Sequence, residues 1–169
     1  MTPTELQDLL TSFASERLGL LERHEAGARS VGNYDINNAY QYVVNREETH
    51  VSWLRDALVE FGAALPSSPA PLAVPAASKP GKKAADPALY RDIIADDARQ
   101  LGAFVERWRP RVAGMTHARH RTMLNVVLGE SLEHKRLFDD AVAGSEDLLG
   151  RRTGGVARQG TVLPTRWQE

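Results

Sequence analysis

Apolar residues recur three and four positions apart through most of this chain, and no stretch alternates polar and apolar residues for long enough to form a strand. The periodicity predicts an all-α protein, and 169 residues fall within the usual size of one domain. Thr2-Pro3-Thr4-Glu5 sets a capping hydroxyl before a proline and a glutamate, which predicts a first helix from Thr2 to near Gly32. Asp35 is the expected cap of a second helix that runs until the prolines beginning at Pro66. Asp86-Pro87 reads as a third start, and Pro110 should close that helix near Trp108 because it lacks an amide donor. A fourth helix is expected from about Thr116 to Ala143.

Residues 65–86, rich in Pro, Ala and Ser, read as a crossover within one bundle. A second helix about 43 Å long is spanned by a connection that can extend to roughly 70 Å, so the chain can return along the bundle. Two separate hairpins would each leave an apolar face uncovered. The expected organisation is a bundle over 1–143 and an irregular arm over 144–169, whose Leu148, Leu149, Val162, Leu163 and Trp167 should pack on the bundle or on a second copy in a homodimer.

Charge and composition narrow the function. Twenty-one Lys+Arg against 22 Asp+Glu give no basic excess for nucleic acid. The lack of cysteine excludes disulfides and thiolate ligands within this chain. No uncharged run approaches the ~20 residues of a membrane span, and MTPTELQDLL lacks the form of a secretory leader. The expectation is a soluble, cytoplasmic protein.

Placing residues at ~100° per position reveals polar groups among the apolar faces. The stripe Leu6, Leu10, Phe13, Leu20, Val31 holds His24 at its centre and Glu25 on its margin. The second face contains Glu47 and, at its edge, His50; the third contains Asp97; the fourth contains Glu130 and His134. Carboxylates inside a bundle need a cation, hydrogen bonds or a metal, because desolvating an unpaired charge costs several kcal/mol. Glu, Asp and His are also ligands for iron or manganese, and spacings of three or four residues let two of them converge from one helix. The alternative from the same residues is a metal-free network whose charges and hydrogen bonds satisfy one another. His117 and His120, near the start of the fourth helix, read as solvent-facing or turn residues, and Tyr40 and Trp108 as packing groups.

NREETHVSWLRDAL, with its Glu47-x-x-His50, resembles the second-helix signature of the ferritin-like superfamily of ferritins, bacterioferritins and rubrerythrins, and LGESLEHKRLFDDAV resembles a degraded copy on the fourth helix. The resemblance implies a four-helix bundle with a dinuclear iron or manganese centre, and with it a di-metal oxidase or peroxidase. Carried over, Glu47 and His50 match directly and Asp97 takes the third-helix role. Ser131 stands where the fourth-helix Glu belongs, so Glu130 would substitute from one position earlier, beside His134. Helix 1 offers His24 or Glu25. Two further readings stand beside it. His50 with His134 resembles the single-metal bundles of the DinB/YfiT group, although Glu130 replaces a histidine expected there. A non-catalytic interaction module with a metal-free polar cluster is the third.

Overall fold

The computed structural model describes residues 1–67, 72, 87–145 and 147–150. These form four helices, α1 (Pro3–Ser30), α2 (Tyr34–Val59), α3 (Pro87–Ala113) and α4 (Ala118–Val142), and no strand among the described residues. The all-α expectation is met.

Local chemistry sets the boundaries. Thr2 caps α1 as its sequence predicts: its hydroxyl accepts from the Glu5 amide at 3.2 Å, while the Glu5 carboxylate accepts from the Thr2 amide at 2.6 Å. The cap of α2 is Asn33 rather than Asp35. Asn33 has the extended backbone a cap requires and accepts from the Ile36 amide at 3.1 Å, leaving Asp35 in the first turn, where its charge faces the positive end of the helix. α2 also stops before Pro66. Gly62 takes φ 68°, and the Phe61 and Ala63 amides both bond to the Leu58 carbonyl, so a left-handed glycine closes the helix first.

Pro110 does not end α3, contrary to expectation; the helix passes through it to Ala113. An internal proline costs about 3 kcal/mol. Continuing the helix buries Val112 and leads into Met115, both of them core residues, and each such burial contributes about 1.5–3 kcal/mol. The turn after the proline is held by Gly114 N–H to the Pro110 carbonyl and Met115 N–H to the Val112 carbonyl, both 3.1 Å.

α1 packs against α2 and α3, and α4 packs against α3 and α2. One end of the core is aromatic: Phe13 on α1 meets Phe104 and Trp108 on α3 edge to face, with ring centroids 5.0 and 4.9 Å away. Tyr40 and Phe138 meet at a tilt between α2 and α4, with ring centroids 4.8 Å apart. Leu65 and Leu72 from the connection, and Leu148 and Leu149 after α4, lie against this core. The rest of the crossover and arm, 68–71, 73–86, 146 and 151–169, lies outside the described residues. Among those described, no helix is long and apolar enough to cross a membrane.

Candidate functional site: a polar centre held by arginine

The apolar faces enclose a polar layer with contributions from all four helices. Arg17, His24, Glu47, His50, Asp97, Ser131 and His134 are all buried. Five of these seven, His24, Glu47, His50, Asp97 and His134, are foreseen from helical phase. Arg17 is not, and neither is Arg23, which is buried beside Asp97.

Arg17 occupies the middle. Its guanidinium pairs with the Glu47 carboxylate, donates to the Ser131 hydroxyl at 3.0 Å, and lies 5.5 Å from the Phe104 ring. Ser131 in turn donates to the Val127 carbonyl at 2.7 Å. His24 Nδ1 stands 2.9 Å from both Glu47 oxygens, and because an ionised carboxylate only accepts, the imidazole proton sits on that nitrogen. Burial alone would raise the Glu47 pKa; Arg17 first, then His24, reverse this and bring it down to about 2. Burial in turn lowers the Arg17 pKa, against the pull of Glu47.

Asp97 belongs to a second group. Arg23 pairs with both Asp97 and Asp96, and the Tyr40 hydroxyl donates to Asp97. Tyr40, expected to be only a packing group, is thus also a donor. Burial pushes the Asp97 carboxyl upward in spite of these partners, and pushes the Tyr40 hydroxyl well up as well. A third group sits at the edge. Glu130 is 29% exposed, receives Arg46 at 2.6 and 2.9 Å, and accepts from His50 Nε2 at 2.8 Å. That contact fixes the His50 tautomer and leaves Nδ1 as its lone-pair nitrogen. His134 stacks beside His50 with centroids 6.2 Å apart and places Nδ1 3.9 Å from Glu47. Burial lowers the pKa of His50 to about 4 and of His134 to about 3, so both are neutral at pH 7.

The expected ligands are therefore divided. Glu47, His24 and His134 share the centre; Asp97 belongs to Arg23 and Tyr40; Glu130 reaches His50 from the boundary instead of pointing inward. Glu25 is 40% exposed and faces Arg29 at 3.5 Å, away from the core. Among the described residues, no three His, Asp or Glu side chains are arranged to hold a metal ion. Each interior carboxylate already meets a guanidinium, so the donor set as arranged does not fit a two-metal centre. The signal for Arg17 was present in the sequence: position 17 falls four residues after Phe13 and three before Leu20, inside the stripe. Its charge, not its phase, hides it among surface residues.

No protein-family model, curated protein or solved structure matches this chain.

Proposed function

We propose that the chain is a divergent ferritin-like bundle in which guanidinium groups neutralise the interior carboxylates, and that it acts as a non-catalytic module meeting its partners on its outer surface. Helix pairing supports the ferritin-like arrangement. Residue pairs 17/47 and 28/37 set α1 antiparallel to α2, 23/97 and 16/107 set α3 antiparallel to α1, and 46/130 and 60/119 set α4 antiparallel to α2. α3 then runs parallel to α2, the path that a long crossover allows. The observation that carries the functional reading is the Arg17–Glu47 pair, in which neither side chain has any exposure. A fixed cation supplies there the charge that a metal would supply, and a reactant has no access to it.

Metal analysis of untagged protein tests this, using samples prepared without chelator and loaded with ferrous iron or manganese. The expected result is no retained metal and no oxygen consumption on adding ferrous iron. Two retained equivalents, with oxygen uptake abolished by Glu47→Gln, would overturn the reading.

The His50 geometry favours a second reading, a single-metal bundle. Its Nε2 is fixed by Glu130, and its Nδ1 is buried with no hydrogen-bond partner among the described residues, in the neutral form a ligand requires. One equivalent of metal, lost in both His50→Gln and His134→Gln, is its signature.

A further inference from the structure

At the far end of the bundle from the Asp97 group, two histidines occupy the first turn of α4. His117 is the N-cap, with φ −77° and ψ 97°, yet its side chain makes no capping hydrogen bond. Its Nδ1 instead faces the Nδ1 of His120 at 2.8 Å, with ring centroids 4.3 Å apart. His120 was expected in solvent but is only 2% exposed, because its ring packs on Phe61 at 5.9 Å. Its other nitrogen, Nε2, lies 3.6 Å from a Glu60 oxygen, and the second Glu60 oxygen holds Arg119 at 2.8 Å.

We propose that the Nδ1 atoms of His117 and His120 chelate one divalent transition-metal ion, with the Glu60 carboxylate supplying negative charge behind the His120 ring. Ligand nitrogens about 2.0–2.1 Å from a metal and 2.8 Å from each other subtend an angle of roughly 85–90° at it. That angle suits adjacent positions of a tetragonal or octahedral ion, whereas tetrahedral zinc would need the nitrogens to separate to about 3.3 Å. The angle disfavours tetrahedral zinc, and among the ions that accept it the affinity order of nitrogen ligands favours Cu²⁺ and Ni²⁺ over ferrous iron and manganese, which two imidazoles and water hold too weakly to be retained. Glu60 lies 3.6 Å from His120 Nε2, beyond hydrogen-bond length, and acts on the site through its charge. His117 is exposed, so water can fill the remaining positions.

Burial first, and the neighbouring His117 second, disfavour a proton on His120, which keeps it in the ligating form. One ring proton lies between the two Nδ1 atoms; on chelation it passes through solvent to Nε2 of the exposed His117, so both imidazoles bind the ion as neutral ligands. The helix dipole opposes a cation at an N-terminus, and Arg119 adds repulsion. Glu60 offsets the Arg119 charge.

Copper(II) titrated into the untagged full chain tests the site, read by calorimetry and by electron paramagnetic resonance. One ion should bind with hyperfine splitting from two nitrogens. His117→Asn places a good capping residue at the same position, so the metal-free thermal midpoint should hold or rise while affinity falls at least about tenfold. Glu60→Gln, which removes the nearby negative charge, should weaken binding by a smaller factor than His117→Asn does. Equal copper affinity in wild type and His117→Asn, or copper lost in His134→Gln but kept in His117→Asn, would overturn the proposal.

Discussion

Arg17 on α1 and Glu47 on α2 form an ion pair at the centre of the bundle with no solvent access to either side chain. Such a pair need not stabilise the fold relative to an apolar pair of the same volume, but removing one member strands the other. Arg17→Met should therefore cost roughly 3–5 kcal/mol by chemical denaturation. Combining it with Glu47→Leu should recover most of the loss. If both single variants match the wild type, the pair carries no buried charge.

Acid should destabilise the protein earlier than surface carboxylates alone would predict. His50 and His134 have folded pKa values of about 4 and about 3, below the ordinary 6.5. Between pH 6.5 and 4 the unfolded chain binds protons that the folded chain refuses. Stability therefore rises with pH there, by about 1.4 kcal/mol per unit for each imidazole. Glu47, depressed from 4.5 to about 2, adds stability that is present above pH 4.5 and is lost as pH falls toward 2. Asp97, shifted upward from 3.8, acts in the opposite sense. Unfolding free energies at pH 7 and pH 5 should differ much less in a His50→Gln/His134→Gln double variant than in wild type. Parallel slopes would show that the buried imidazoles accept protons in the folded state.

Two helical glycines should respond oppositely to alanine. A Cβ on Gly27 would lie 2.7–2.9 Å from three atoms of the Tyr40 side chain, whose hydroxyl holds Asp97, so Gly27→Ala should lose about 1–3 kcal/mol despite its better helix propensity. Gly129 is exposed on α4 with nothing within 4 Å, and Gly129→Ala should gain about 0.5–1 kcal/mol. Thermal melts of both variants check the contrast.

Pro110→Ala returns an amide donor to the interior of α3 without touching the burial of Val112 or Met115. The thermal midpoint should rise, with a gain of up to about 3 kcal/mol. No gain would mean that the wild-type backbone has already relaxed around the ring.

Helix number and inward phase were legible because periodicity and the Thr2–Glu5 cap are local signals. The passage through Pro110 was not, since it depends on burial elsewhere: propensity there is outweighed by Val112 and Met115. The stop at Gly62 is a local signal, overshadowed in the sequence by the prolines that follow it. The site was legible in half its chemistry. His24, Glu47, His50, Asp97 and His134 stand at buried positions, but their counterions do not declare themselves, because a buried arginine looks in sequence like a solvated one. Ser131 and Glu130 differ by about 100° of helical phase, enough to put the hydroxyl on Arg17 and the carboxylate at the rim.

The polar layer also governs how the chain can be divided. Arg23 and Tyr40 lie in the first helical pair, and the carboxylate they share, Asp97, lies in the second. Arg17 likewise joins Glu47 in its own half to Ser131 in the other. A fragment ending at residue 67 would keep the cation and phenol while losing Asp97, so neither half inherits a complete set of bonds. The molecule is therefore built to melt as one cooperative unit, with no stable half-folded species, although its connectivity gives it two ready-made hairpins.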